Sequence, residues 1–540
     1  MRKKLTAVFL AASMAASVLA GCGGSVNKES SETTTAAAAE SAADASAAEP
    51  PAGDPVYGGT LRYASTVNCT TPGYTPECTA NNTLIFLTTA YESLTYYNEI
   101  GEIVPKLAEE WTTDASEPSI TWTLRSGVKF ADGEPFNAEA VKRNIEEYQK
   151  CARTEVANVD SCEVIDDTHI KMVLKSWNSS TLESVGFFVY YMSPKALEDV
   201  DSLRSTSCGT GPFQVSEFNP GVSVKYKKNE NYWQKGKPYL DGVEINTVDE
   251  VMTMSSAFEA GEYDMIYMNS WVLVNDLASK GLYIQETNTS GQGITMTGLI
   301  PNSVKEGSPF ADQKVRQAMC YALDVEALCQ AFGYGYMVPT NQWAAPGAAT
   351  YDEKLNGFTY NPEKAKSLLA EAGYPNGFDT TLTTNVANKD IFTAAANMLS
   401  EVGINCEINL VDDSAQTNLY TTGTWDGIMG HYAAISPDLG LYMGRHLDHN
   451  GAFYAAGILH PQEAMYLLEK IRVASTAEEK IELEYKLQEY MYDADNGQAL
   501  FGRPIFIQSE QTFKYPYVVD DYRSICHKGT WNIEDCWFNK

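Results

Sequence analysis

Positive charge is scarce in this 540-residue chain: 39 Lys and Arg stand against 70 Asp and Glu, a formal net charge of −31. A nucleic-acid partner needs clustered cations to displace counterions, so no nucleic-acid partner is expected. Histidine is scarcer still, with six residues, and no Cys-x-x-Cys spacing occurs, which disfavours a structural zinc site. The G-x-S-x-G turn of serine hydrolases, the H-E-x-x-H of zinc peptidases and the Walker or kinase phosphate-binding sets are all missing. Acid–base pairs scattered among so many carboxylates are a matter of composition, and spacing marks none of them. An enzyme is not expected, and neither is a cofactor. The chain shows no internal repeat. Aromatics, by contrast, are plentiful, with 32 Tyr and 9 Trp. Most read as core or half-buried strand residues, and a minority as lining for a ligand cleft.

The N-terminus reads as an address. Met1 to Lys4 is basic, and Leu5 to Leu19 is apolar but too short for a stable membrane span. Leu19-Ala20-Gly21-Cys22 resembles a lipobox, in which the Cys thiol takes a lipid and becomes the first residue. Residues 1–21 are therefore expected to be a lipoprotein signal peptide, with Cys22 as the lipidation site. Residues 22–56 are mostly Ser, Thr, Ala and Glu and bury too little to fold, so they read as a disordered tether. The expected location is extracytoplasmic, with the membrane reached through the lipid anchor only.

Ten cysteines follow Cys22, an even number that export would allow to pair. Cys69 with Cys78 and Cys526 with Cys536 are the plausible local pairs. Cys320 and Cys329 fall on opposite faces if one continuous helix carries both, too far apart to bond. In a reducing setting all ten stay as thiols.

The body opens with Tyr57-Gly-Gly-Thr-Leu-Arg-Tyr-Ala64, a first strand. The densest pattern is Ile120 to Cys151. Ile120 to Leu124 alternates as a half-buried strand does. Ser126-Gly127 turns the chain, Val128 to Phe130 starts a short strand, and Asp132-Gly133 with Pro135 breaks it. Asn137 caps a helix whose Val141, Ile145 and Tyr148 share one face. The string WTLRSGVKFADGEPFNAEAV, residues 122–141, closely resembles the signature of the family 5 extracellular solute-binding proteins, the peptide/nickel-type receptors of ABC importers. Further blocks resemble the same family. They include Gly209-Thr-Gly211-Pro-Phe213, Asn229-Glu-Asn-Tyr-Trp233 with Lys237-Pro-Tyr-Leu-Asp241, and Tyr360-Asn-Pro-Glu-Lys-Ala365 through Gly373. In the last, Asn361 caps, Pro362 sits in the first turn and Gly373 closes the helix.

The resemblance implies a two-lobed, periplasmic-binding-protein-like α/β fold (type II, large family 5 type) with an extra β-rich subdomain in the first lobe. The first lobe is expected over 57–297, with the subdomain near 93–205. The second lobe is expected over 298–505, and 506–540 returns to the first. The implied function is capture of an oligopeptide or other small polar solute between the lobes by hinge closure, and delivery to ABC permease and ATPase subunits by a monomeric receptor. Peptide-binding members hold the α-amino group with an Asp in a stretch resembling Gly430 to Asp438. Here that position falls on Ala434, and Asp438 aligns with a later Asp. A buried ammonium without a carboxylate is costly, so the usual amine anchor is expected to be absent. His431 and Tyr432 are the first candidates for solute contact, with Trp271, Trp343, Tyr74 and Asp438 beside them. Each aromatic is equally readable as a core or rim residue.

Three other readings stand beside a peptide solute: an oligosaccharide, a chelated metal or haem, and a sensing receptor in place of an importer component. Arg445-His446-Leu-Asp448-His449 places two His at a helical spacing. The segment reads as a surface loop without a third ligand, so no metal site is expected there.

Overall fold

The computed structural model describes residues 53–78, 83–98, 102–288, 295–434, 438–449, 451, 453–519 and 530–540. The expected leader, Cys22, most of the expected tether and Cys526 lie outside them.

Two large mixed sheets organise the body. The first has seven strands, in the order Ile284–Asn288, Glu510–Lys514, Met265–Met268, Thr60–Ser65, Gly242–Thr247, Ser223–Lys228, Phe213–Asn219. The second has six, in the order Met337–Pro339, Arg503–Gln508, Thr295–Pro301, Ile428–Ala434, Phe378–Thr384, Ile404–Leu410. Each packs its own apolar core. Leu61, Val243 and Ile245 belong to one cluster, and Leu299, Leu382 and Ile428 to another. The fold is thus two α/β lobes, as expected. The chain passes from the first sheet to the second between Asn288 and Thr295, and back at Ser509.

A separate antiparallel sheet lies within residues 93–205. Its order is Ala108–Asp114, Ser119–Leu124, His169–Leu174, Val159–Val164. Trp122 is fully buried at its centre. The signature helix is Ala138–Lys150; Asn137 caps it by accepting from Ala140 N at 3.0 Å, and Val141, Ile145 and Tyr148 are buried. Val128 to Phe130 forms no strand. Gly127 and Gly133 take left-handed φ of 75° and 89° and twist the chain, leaving one bridge between Lys129 and Pro135. Gly209 and Gly211 are needed for close approach: a Cβ on either would lie under 3 Å from the Ala90 backbone.

Cys69 and Cys78 are free thiols, so the expected local pair is not formed. The Cys78 thiol donates to the Thr71 carbonyl at 3.1 Å, and burial pushes the Cys69 thiol up to about 12. Cys320 and Cys329 are also free and lie on separate helices, Gln313–Tyr321 and Val325–Gly333, because Asp324 caps a new helix between them.

Candidate ligand-binding cleft

In an open α/β sheet, ligands bind beyond the carboxyl ends of parallel strands. Thr60–Ser65 runs parallel to Gly242–Thr247 and to Met265–Met268. Phe378–Thr384 runs parallel to Ile404–Leu410 and to Ile428–Ala434. Register shows where these ends point. Met268 pairs with Gln511, two residues past the return crossing at Ser509. Ala434 pairs with Thr295, which also pairs with Gln508, one residue before it. Both sets of carboxyl ends therefore meet at the crossing, and they face each other across it.

On the first lobe this edge carries the loop after Ser65 and the helix Trp271–Ser279. Beside the loop lies a cavity of about 400 Å³, lined among others by Thr66, Asn68, Cys69, Glu77 and Phe86. Trp271 packs against apolar groups of both lobes, and its ring stacks on Tyr336 at 6.4 Å and 8°. Tyr336 is tied to the crossing as well, since Ser509 Oγ donates to its carbonyl at 2.6 Å.

On the second lobe the edge carries Tyr432, 37% exposed, with Asn385 and Asp413. Asn385 Nδ2 donates to Asp413 Oδ1 at 2.8 Å, and the Tyr432 hydroxyl lies beside this pair. Burial and then the Asp413 charge raise the Tyr432 phenol, so it stays a neutral donor. Asp413 and Asn385 were not singled out from the sequence. They come from two different strand ends and meet only in space. The capping pair Asp412-Asp413 was the available signal.

The other expected residues fall in several environments. Tyr74 is buried in the first-lobe core, where its hydroxyl donates to Glu147 Oε1 at 2.6 Å. Trp343 is 1% exposed, its Nε1 donating to the Phe501 carbonyl at 3.3 Å. Neither presents a solvent-facing ring. His431 stacks on Tyr420 at 4.6 Å and lies 6.0 Å from Trp343 and 5.7 Å from His446. Burial among these rings lowers it to about 3, so it is neutral, and its Nε2 has no partner among the described residues. Asp438 caps the helix Leu439–Leu447 by accepting from Leu441 N at 2.7 Å and is ion-paired with Lys480. Burial alone would raise its carboxyl, yet Lys480 holds it below the ordinary range. Its charge is already matched within the protein. The side chain of Ala434 lies outside the described residues.

The segment expected as a surface loop at Arg445–His449 is mostly helix, because Asp438 starts Leu439–Leu447. His446 is buried, with its Nδ1 2.7 Å from the Tyr420 hydroxyl. Among the described residues no group of three or more His, Cys, Asp or Glu is arranged to hold a metal.

Comparison with known proteins bears on the family and the fold. The family described as bacterial extracellular solute-binding proteins, family 5 Middle, matches residues 102–453. The glutathione-binding protein GsiB of Salmonella typhi is 31% identical over 334 residues, which are 60% of this chain and 64% of that protein. NikA from Brucella suis, solved in complex with Fe(III)-EDTA, superposes with a TM-score of 0.76 at 20% identity, covering 89% of this chain and all of that one. DppA from Helicobacter pylori, in complex with the peptide STSA, gives 0.69 at 21% identity over 90% of this chain and 99% of that one.

Proposed function

Because the chain belongs to the bacterial extracellular solute-binding proteins of family 5, we propose that it is the extracytoplasmic receptor of an ABC importer and binds a peptide-type solute between its lobes. Proteins of this family bind solutes for transport and are not enzymes. The observation that carries the reading is the convergence of both sets of parallel-strand carboxyl ends on the chain crossing. A cleft built there encloses a small solute from two sides, and rotation about the crossing opens and closes it. The lobes divide where the chain crosses, residues 57–288 with 510–540 on one side and 295–508 on the other, a few residues from the expected boundaries at 297 and 506. Cys22 carries the lipid that holds the receptor at the membrane, and a permease with its ATPases takes the solute from a monomer.

The solute class follows from the rim. Tyr432 and Asp413 offer hydrogen bonds and a single carboxylate, with Asn385 buried behind them and bonded to Asp413, while Asp438 is occupied by Lys480. That set suits a polar solute held by several hydrogen bonds without a dedicated buried amine anchor. A small peptide of the glutathione type fits it, in keeping with the name of the GsiB relative.

A thermal-shift series tests this with reduced glutathione, the peptide STSA, an oligosaccharide and Fe(III)-EDTA. A solute at about 100 times its Kd adds about 2.7 kcal/mol of stability and raises Tm with concentration. Glutathione or STSA is expected to do so. N-acetylation of STSA is expected to weaken it little, since no amine anchor is present. Silence toward every probe, or turnover of one, overturns the reading. Cys22→Ser is expected to move the protein from the membrane to the soluble fraction.

A further inference from the structure

The two lobes also touch away from the crossing, through a seam with its own chemistry. The helix Gln462–Val473 ends at Ala474, and the last carbonyls of any helix lack intrahelical donors. Here the other lobe supplies them. Ser179 N donates to the Arg472 carbonyl at 2.7 Å, Ser179 Oγ to the Ile471 carbonyl at 2.9 Å, and Trp177 Nε1 to the Ala474 carbonyl at 3.0 Å. A fourth bond runs the opposite way, from Lys480 Nζ to Ser180 Oγ at 3.4 Å. The donor stretch leads into the helix Thr181–Phe187, whose Val185 and Phe187 belong to the first-lobe core. The acceptor helix places Leu467, Leu468 and Ile471 in the second-lobe core. The two sides of the seam are thus anchored in different hydrophobic clusters.

Behind these bonds Lys480 lies between Asp438 and Glu484 of its own lobe, and Glu183 of the other lobe adds to the field on it. Glu484 Oε1 accepts from Gly440 N at 2.9 Å. The ammonium is matched most fully when both lobes are present.

We propose that this seam is a latch: residues Trp177–Ser180 cap the C-terminus of the helix Gln462–Val473 across the lobe boundary and hold the closed arrangement, so that they set the rate at which solute escapes. The proposal rests on the reading that the lobes move about the crossing. The latch bonds are satisfied by one another. They bias closure whatever the solute, and a bias toward the closed form multiplies affinity by the same factor.

The test uses the double variant Trp177→Phe/Ser179→Ala, which removes two of the four bonds, and the milder Ser179→Ala, which deletes only a part-buried hydroxyl. Small-angle scattering on the solute-free protein is expected to show a larger radius of gyration for the double variant than for the parent, with Ser179→Ala between them. With reduced glutathione or STSA as probe, Kd and the dissociation rate are expected to rise together by about 5- to 30-fold in the double variant, at an unchanged association rate. If the parent and both variants share one radius, and any probe that binds does so within twofold, the latch is overturned while solute binding stands. If the variants expand but no probe binds the parent, the latch stands and the solute reading fails.

Discussion

Two part-buried lysines, each set between two carboxyl groups, do different work in this molecule. Lys106 lies 2.7 Å from Glu534 and 3.6 Å from Glu92. Thr210 and Trp233 also donate to Glu92, at 2.8 Å each. Burial alone would depress the Lys106 ammonium, but the two carboxylates hold it raised, and Lys106 in turn keeps Glu534 below the ordinary range. Every member belongs to the first-lobe side, and the cluster pins the C-terminal segment to the body. Lys480 has nearly the same composition, with Asp438 and Glu484, but it sits at a boundary that Ser180 and Glu183 reach from the other lobe. The lesson is that a charge triad is rigid or reversible according to what it joins. Inside one lobe, breaking it strands charges that water cannot reach. At the seam, the proposed separation of the lobes would let water back in.

The largest expected effect is on the closed cluster. Lys106→Met leaves Glu92 and Glu534 buried without their cation, and it is expected to cost about 3–5 kcal/mol in urea unfolding. Lys480→Met is expected to cost less, about 1–2 kcal/mol, because Asp438 can rehydrate when the seam parts. Equal losses at the two sites would erase the distinction between them. The third expectation concerns pH. Burial pushes Glu484 up to about 8 from an ordinary 4.5. A carboxyl with a raised folded-state pKa keeps its proton when the unfolded chain has released it, so its contribution to stability is full below about pH 4.5 and is lost as pH rises toward about 8. The slope is at most about 1.4 kcal/mol per pH unit. Glu484→Gln is expected to flatten the parent's decline over that window in pH-dependent thermal melts, and an unchanged slope would remove Glu484 as its source. The smallest effect is expected outside both clusters. Asp413→Asn takes the carboxylate from the cleft rim and is expected to weaken glutathione or STSA binding by a few fold in calorimetry, with stability within about 0.5 kcal/mol of the parent.

Local rules were legible in the sequence and distant contacts were not. Asn137 and Asn361 cap the helices they were expected to cap. The hairpin of Val159–Val164 with His169–Leu174 turns through Asp166-Asp167, because alternation and turn chemistry act over a few residues. Val128 to Phe130 reads as a strand by composition, yet the glycines on either side of it limit its pairing to a single bridge, Lys129 with Pro135. For the cleft, Tyr432 and Trp271 stand at strand ends near the crossing, whereas Tyr74 and Trp343 are spoken for by core hydrogen bonds. An aromatic residue carries the same pattern in either place. Asp413 meets Asn385 across 28 residues, and Lys480 meets Ser180 across 300. No spacing marks such pairs, since the fold alone brings them together.

The strand Glu510–Lys514 lies inside the first sheet, hydrogen-bonded to Met265–Met268 on one side and to Ile284–Asn288 on the other. A ribosome has made the whole second lobe before it makes this strand. Until then Met265–Met268 and Ile284–Asn288 each lack the neighbour that joins them in the finished sheet, and such unpaired edges invite pairing with other chains. The order of synthesis therefore leaves the first sheet incomplete until the last thirty or so residues are available. A truncation ending before Glu510 is a candidate for aggregation even though most of both lobes is intact.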